Sequence, residues 1–349
     1  MTDPSKWTIE QLHVHLMAAI ELELMTIPPY LTALYSLGGE NEKAEEIIRS
    51  VVMEEMMHLA LAANVLNAVG GKPELTTGGY VPRYPAKIPF HEPETFQVSL
   101  LPYGQEALTT FLAIENPNHS GVEPPPASAE AAVPRVYELA AEYGYKTIGE
   151  FYGAIEKAIQ ALDTNGGLFT GEAGRQIGPD IFRPDPHGGK MIEVKDLTTA
   201  MEALELIVDQ GEGDVKDPGP GEKFDPEGQL AHFYLFKELS EGHEYLKDDS
   251  PEKPTGPPIT IDSAAILPMK PNLRAEDLSG ALREEADSFN ATYTRLLGQI
   301  QEAIDGQPKV LFSAYRTMIN LKGDAEALLR KPLNDGSGLN AGPTFQFLG

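Results

Sequence analysis

The chain has 349 residues, of which 41% are hydrophobic, and it contains no cysteine. This length allows a sizeable core in one large or two ordinary domains, and the lack of cysteine excludes disulfides, thiolate ligands, iron–sulfur clusters and a cysteine nucleophile. The formal net charge of −26 opposes nucleic acid and anionic membranes as partners.

Two further features of the sequence narrow the class of protein. No apolar run reaches the ~18 residues that a membrane span requires, and residues 1–6 are not followed by the apolar region of a signal peptide. We therefore expect a cytoplasmic protein. Any metal site has to use histidine and carboxylate side chains, which points to iron, manganese or zinc.

The first predicted helix covers residues 8–37, and one of its faces carries a carboxylate among apolar residues. The residues on this face are Leu16, Ile20, Glu23, Ile27, Tyr30 and Leu34. Glu23 is therefore predicted to point inward, with a position at the rim as the alternative, whereas Glu21 points roughly the opposite way. The interior prolines Pro28 and Pro29 predict a bend one turn after Glu23, because a proline inside a helix costs ~3 kcal/mol.

The second predicted helix covers Glu42–Val69, and the connection from the first helix is short. The two helices should form an antiparallel hairpin in which Glu23 and Glu55 meet at one level. The histidines near the start of the first helix, His13 and His15, are expected at the surface or at the helix end.

Glu55 and His58 fall on the apolar face of the second helix, three residues apart. A buried carboxylate without a partner costs several kcal/mol, and the Glu-x-x-His spacing builds di-iron and di-manganese sites in four-helix bundles. The alternative is a Glu–His pair without a metal. Glu54 lies at the edge of the face and is the lesser candidate for a ligand.

After a long crossover at residues 71–101, with a short strand predicted near Val98, two half-helices follow at Gln105–Glu115 and Thr147–Leu162. Glu115 lies on the apolar face of the first piece, but at its end. Glu150 lies off the face of the second piece, and its spacing from Thr147 also fits a capping box. The pattern leaves Glu115 and Glu150 as alternative ligands.

A second pair of helical pieces comprises residues 196–212 and 226–246, which are separated by a linker rich in Asp, Pro and Gly. Glu212 ends the first piece, and His232 lies on the apolar face of the second. The alternative for His232 is a core histidine bonded to a backbone carbonyl. Each pair would form one long helix that is broken at the level of the metal, and we hypothesise that the insertions cap the site and shape a substrate pocket.

Several segments together resemble a known family. They are Ile20–Glu23, Thr26–Ser36, Glu54–His58, Phe111–Glu115, Thr147–Tyr152, Gln210–Gly213 and His232–Phe236. The set resembles the ferritin-like domain of iminophenyl-pyruvate dimer synthases, which oxidatively couple two aryl-pyruvate imines in the violacein and rebeccamycin pathways. The similarity covers most of residues 8–347, including the ending at Ala341–Phe345.

The resemblance implies a mainly α fold: a ferritin-like four-helix bundle with broken third and fourth helices, long loop insertions and extra C-terminal helices. Residues 1–246 would form the metal-binding bundle. Residues 247–349 would contribute two helices, at Glu276–Asp305 and Pro308–Leu329, and an extended tail that packs on the same domain.

The predicted site combines the inward polar residues of all four helices. The candidate metal ligands are Glu23, Glu55, His58, Glu115, Glu150, Glu212 and His232, and they would bind one or two iron ions, with manganese as an alternative. Tyr30 and Tyr152 are candidate catalytic residues, as radical relays or as hydrogen-bond partners of the histidines, with a plain core role as the alternative.

The predicted function is that of a metal-dependent oxidoreductase acting on a small aromatic amino-acid derivative, and homo-oligomerisation is left open. Three alternatives remain at the level of sequence. These are a ferritin-type iron-handling protein, a manganese-catalase-like peroxide scavenger, and a bundle that has lost its metal.

Overall fold

The computed structural model describes residues 3–39, 41–76, 79–90, 96–116, 131–164, 166–182, 189–211, 223–224 and 228–349. A long helical hairpin lies at its centre, made of α1 (Ile9–Ser36) and α2 (Glu42–Ala68). Thr8 begins α1 with a capping box: its hydroxyl accepts from the N–H of Gln11, whose side chain accepts from the N–H of Thr8. Such a reciprocal cap satisfies two helix-end donors.

The third and fourth helices of the bundle are both interrupted. The pieces are α3 (Gln105–Ile114), α4 (Arg135–Tyr143), α5 (Ile148–Leu162), α6 (Leu197–Gly211) and α7 (His232–Glu241). The α3 and α5 pieces pack on α1, and α6 and α7 pack on α2, while α3 contacts α7 and α5 contacts α6. The predicted mainly helical fold with broken third and fourth helices is confirmed.

Two C-terminal helices, α8 (Gly280–Ile304) and α9 (Leu311–Leu329), pair with each other and also contact the α1–α2 hairpin. One hydrophobic core extends from Trp7 to Phe345. The proposed division of the chain at residue 246 stays a prediction. Among the described residues, no helix is both long and apolar enough to cross a membrane.

The crossover between α2 and α3 contains a small antiparallel sheet of two strands, β1 (Ala86–Lys87) and β2 (Gln97–Val98). The strand predicted near Val98 is therefore present but short. Nine residues of sequence separate β1 from β2, and their antiparallel pairing folds the crossover back on itself.

Helix α1 is buried on nearly all sides from Leu16 to Ser36, which makes the expectation for His15 wrong. Glu21 does lie away from Glu23, but it is only 1% exposed, and its carboxylate accepts hydrogen bonds from the N–H groups of Arg135 and Val136 at the start of α4. Burial raises the pKa of Glu21 to about 7. His15 was expected at the surface or the helix end, yet it is fully buried.

Helix α1 continues through Pro28 and Pro29 without ending. Because Pro29 has no N–H, the carbonyl of Met25 lacks its usual helical donor. The hydroxyl of Tyr84 donates to this carbonyl at 2.8 Å and so replaces the missing helical hydrogen bond. The crossover that carries Tyr84 therefore supports the middle of α1, one turn after Glu23.

We expect Tyr84→Phe to lower the free energy of unfolding by about 1 kcal/mol, because it leaves the Met25 carbonyl without a donor. The matched control is Tyr293→Phe, since the buried hydroxyl of Tyr293 has no hydrogen-bond partner in the described part of the chain. Urea unfolding of both variants measures the difference. Equal stability of the two variants would show that the Tyr84 bond does not support the helix.

Candidate metal centre

Five buried side chains meet between the helices in two overlapping groups of possible ligands. One group is Glu23, Glu55 and His58, the other is Glu55, Glu115 and His232, and within each group the ligand atoms lie within 4.8 Å of one another. Glu55 belongs to both groups. Each group therefore offers one imidazole and one carboxylate of its own, together with a carboxylate that the two groups share.

Two of these residues lie at the helix ends that the breaks in the third and fourth helices create. Glu115 is the C-cap residue of α3, and His232 is the first residue of α7. Glu55 and His58 come from one turn of α2, and Glu23 comes from the middle of α1. The helix ends and the continuous hairpin thus meet at the same level of the bundle.

The ring of His58 is held in one orientation by contacts on both nitrogens. Its Nδ1 lies 3.5 Å from Oε2 of Glu23, and its Nε2 lies 3.0 Å from Oε1 of Gln210. Because an amide oxygen only accepts hydrogen bonds, Nε2 carries the proton and donates. In the neutral ring, Nδ1 then presents its lone pair to the site, as a metal ligand requires.

The ring of His232 also has contacts on both nitrogens, but its Nε2 faces a carboxylate instead of an amide. Its Nε2 lies 3.0 Å from Oε2 of Glu54, while its Nδ1 lies 2.8 Å from Oε1 of Glu55 and 3.7 Å from Oε2 of Glu115. Neither Nδ1 contact has hydrogen-bonding geometry, so Nδ1 is a buried nitrogen without a hydrogen-bond partner among the described residues. Such a group carries a desolvation penalty, which coordination to a metal ion would remove.

The donor set also fits a metal. Carboxylate oxygen and imidazole nitrogen suit iron, manganese and zinc, and the rings of His58 and His232 stack at 5.5 Å between centroids. The orphaned Nδ1 of His232, together with carboxylates gathered in a buried space, is what a site built for cations requires. The residues present therefore fit a metal centre.

Each carboxylate of the site also accepts a hydrogen bond from a hydroxyl group. Thr26 donates to Oε2 of Glu55 at 2.7 Å, Tyr30 donates to Oε1 of Glu115, and Tyr152 donates to Oε1 of Glu23. Sequence analysis proposed the two tyrosines as partners of the histidines. In the structure they orient the carboxylates instead, and each leaves the second oxygen of its carboxylate for the site.

Three residues that make polar contacts at the site were overlooked in the sequence or were given a different role there. Glu54 was the lesser candidate for a ligand, and in the structure it contacts the far side of His232. Gln210 and Thr26 were not singled out. Thr26 follows Glu23 by three residues on the same helix, which was an available signal, whereas Gln210 is 152 residues from its partner His58.

The structure does not place Glu150 in either group. Its side chain is exposed and accepts from the N–H of Lys146, while its own N–H donates to the hydroxyl of Thr147. Glu150 thus caps α5, so its assignment as a ligand is not supported. Glu212 lies outside the described residues.

The electrostatics of these five side chains show a demand for positive charge. Burial alone lowers the pKa of His58 and of His232, but the interactions with the adjacent carboxylates outweigh it and raise both. The effect is larger at His232. Burial raises the pKa of Glu23, so protons held on these groups take the place of a metal ion.

The comparisons with known proteins agree with this fold. The ferritin-like family model matches residues 16–241, and the chain belongs to the ferritin-like family. A ferritin-like protein of known structure from Caulobacter vibrioides superposes with a TM-score of 0.60 over 97% of this chain and 99% of that chain. The identity of 22% supports the fold alone.

Two curated relatives are enzymes by name. A dichlorochromopyrrolate synthase from Lentzea aerocolonigenes is 26% identical over 341 residues, which cover 91% of this chain and 31% of that protein. A 2-imino-3-(indol-3-yl)propanoate dimerase from Chromobacterium violaceum is 26% identical over 263 residues, or 66% of this chain and 23% of that protein. The resemblance indicated by the sequence motifs is confirmed, although this chain spans less than a third of either relative.

We expect Thr26→Val to weaken metal binding by about 10–100-fold, because Glu55 loses the donor that orients it. Thr32→Val is the matched control on the same helix, since the hydroxyl of Thr32 donates to the carbonyl of Pro28 and, among the described residues, to no candidate ligand. Calorimetric titration with ferrous or manganous ion measures both affinities. Equal losses in the two variants would contradict an orienting role for Thr26.

We expect metal uptake to release protons, and metal affinity to fall as the pH is lowered. The pKa of both site histidines is raised, so in the metal-free protein protons compete with the ion for these groups. Titrations in buffers of different ionisation enthalpy count the protons released. Glu150→Gln is the control and should leave the count unchanged, and uptake without proton release at neutral pH would argue against histidine ligation.

Proposed function

We propose that this chain is a metal-dependent oxidoreductase whose centre holds about two metal ions bridged by a carboxylate, as in other ferritin-like bundles. Iron is the proposed metal, with manganese as the alternative. The observation that carries the proposal is the position of Glu55, which belongs to both ligand groups. A single shared carboxylate between two imidazole-containing groups is suited to bridging two cations.

The residues of the chain have separate tasks in this centre. His58 and His232 each serve one ion, and Glu23 and Glu115 complete the two groups. When bound, the ions activate dioxygen or peroxide and accept electrons from an organic substrate. The protein holds the ligand carboxylates in fixed orientations and keeps bulk water away, since every ligand is at most 6% exposed.

Tyr30 and Tyr152 have two tasks in the proposal. Each fixes one ligand carboxylate through its hydroxyl, and each lies where a phenol can exchange an electron with the centre. Both side chains are fully buried, so solvent does not compete for their hydroxyl groups.

The proposed substrate class is a small aromatic amino-acid derivative, and the proposed reaction is the oxidative coupling of aryl-pyruvate imines. The support comes from the two relatives, whose names describe a chromopyrrolate synthase and a dimerase of an indolyl imino acid. A small molecule is accordingly the proposed partner.

The test is the metal content of the purified, reconstituted protein beside His58→Ala, Glu55→Ala and Glu150→Ala. We expect about two ions of iron or manganese per chain in the parent and in Glu150→Ala, and a loss of metal in the other two variants. Glu150→Ala is a matched control because it removes a glutamate that the structure places outside the site.

The outcomes separate the candidate functions. About one ion per chain would remove the bridging role of Glu55, and no metal after reconstitution would overturn the proposal. With metal bound, consumption of an aryl-pyruvate imine under oxygen supports the oxidase. Ferrous oxidation without organic turnover would instead indicate iron handling, and rapid oxygen release from peroxide would indicate a scavenger.

A further inference from the structure

Aromatic side chains connect the metal centre with the N-terminal end of the molecule. We call them the aromatic chain, and its members are Trp7, His15, Tyr143, Tyr145, Phe151 and Tyr152. Ring centroids are 5.4 Å apart for Tyr152 and Phe151, 5.7 Å for Phe151 and Tyr145, 5.9 Å for Tyr145 and Tyr143, and 5.7 Å for Tyr143 and Trp7. These separations lie within the range of direct ring contact.

The two ends of the aromatic chain differ in their surroundings. Tyr152 donates a hydrogen bond to the ligand Glu23, deep in the bundle. At the other end, Tyr143 is partly exposed, whereas Trp7 is only 4% exposed and contacts the ring of Tyr143. The chain of rings therefore leads from a ligand carboxylate to the protein surface.

His15 and Tyr145 form a proton donor–acceptor pair inside the aromatic chain. Nδ1 of His15 lies 2.7 Å from the carbonyl oxygen of Gln11, so Nδ1 carries the proton. Nε2 is then the acceptor for the hydroxyl of Tyr145, at 3.2 Å. Burial lowers the pKa of His15 to about 4, which keeps its ring neutral and this lone pair available at neutral pH.

A base at this place matters because a tyrosine that loses an electron becomes a strong acid. The phenolic proton has to move to an acceptor within hydrogen-bond reach, and Nε2 of His15 is such an acceptor. Trp7 stacks on the other side of His15, with centroids 3.8 Å apart. Tyr145 is thus an oxidisable ring with a proton acceptor and a second oxidisable ring nearby.

The rings around Tyr30, the second tyrosine of the metal centre, differ from those around Tyr152. Among the described residues, the ring contacts of Tyr30 are with Phe111, at 4.6 Å, and Phe236, at 5.0 Å. Phenylalanine has no acidic proton and is hard to oxidise. Phe151 beside Tyr152 is equally hard to oxidise, but it contacts Tyr145, whereas Phe111 and Phe236 contact each other and, among the described residues, no oxidisable ring beyond Tyr30. Only the Tyr152 side of the centre therefore leads, across one phenylalanine, to further oxidisable rings in the described part of the chain.

We propose that the aromatic chain carries single electrons from the N-terminal surface to the metal centre. The proposal rests on the proposed function, because dioxygen or peroxide acting at the centre is the oxidant. One electron passes from Tyr145 through Phe151 and Tyr152 to the oxidised centre, which is thereby reduced by one electron. The proton of Tyr145 moves to Nε2 of His15.

The starting state is restored by an external one-electron reductant of the thiol or ascorbate class. The reductant loses one electron, which enters through the partly exposed Tyr143 and refills Tyr145, and His15 returns the proton. The net result is that the centre gains one electron and the external reductant loses one. An oxidising equivalent that forms without organic substrate is in this way discharged at the surface.

The test uses the protein reconstituted with ferrous iron and mixed with hydrogen peroxide in the absence of organic substrate. Rapidly frozen samples are examined by electron paramagnetic resonance, and oxidation of Trp7 is measured by peptide mass spectrometry. The variants are Tyr145→Phe and Trp7→Phe, and Tyr293→Phe is the control, a buried tyrosine whose hydroxyl has no partner. Iron content and melting temperature are measured for every sample.

We expect a protein radical and oxidised Trp7 in the parent and in Tyr293→Phe. In Tyr145→Phe, oxidation of Trp7 should be lost while a tyrosyl signal remains near the centre. Should Tyr145→Phe fold poorly, Trp7→Phe gives a second test, because the radical should then remain on Tyr145 or Tyr143. A merely structural role for these rings would not redirect the radical in a folded variant.

Two outcomes would overturn the proposal while leaving the proposed function intact. One is equal oxidation of Trp7 in the parent and in folded Tyr145→Phe, both with iron bound. The other is equal oxidation of Trp7 in metal-free protein, which would mean direct attack by peroxide. Failure of every sample to bind iron would instead overturn the proposed function, and the electron path with it.

Discussion

The structure depends on the burial of three carboxylates and two imidazoles within one small space. Ionised carboxylates in a helical core are strongly destabilising without compensation, and their mutual repulsion raises this cost. The protein compensates with neighbouring donors, with protons and, as we propose, with metal cations. The side chains that contact the ligands from outside the site are Thr26, Tyr30, Glu54, Tyr152 and Gln210.

The broken helices follow from the same constraint. An uninterrupted helix satisfies its own backbone groups, whereas a helix end leaves up to four donors or acceptors to be satisfied elsewhere. Here the α3 end carries Glu115, the α7 start carries His232, and Gln210 lies in the last turn of α6. The helix ends thus bring Glu115, His232 and Gln210, which are distant in sequence, to the same level of the bundle as Glu55 and His58 on the uninterrupted helix α2.

The helices and the α2 ligands were predictable because their signal is local. Glu55 and His58 lie three residues apart on an apolar face, and that pattern needs no knowledge of neighbours. The environments of Glu21 and His15 were not predictable, because periodicity assumes one buried face and α1 is covered on nearly all sides by distant segments. The sequence did not decide between Glu115 and Glu150 as the ligand, because a carboxylate at a helix end can act either as a cap or as a ligand.

The two halves of the centre share a bridging residue but are electrostatically different. His58 is held on its far side by the neutral amide of Gln210, whereas His232 is held by the carboxylate of Glu54. A carboxylate behind an imidazole raises the basicity of the coordinating nitrogen, in line with the stronger upward shift in the pKa of His232. In the proposed metal centre, the position served by His232 would therefore be the more electron-rich of the two.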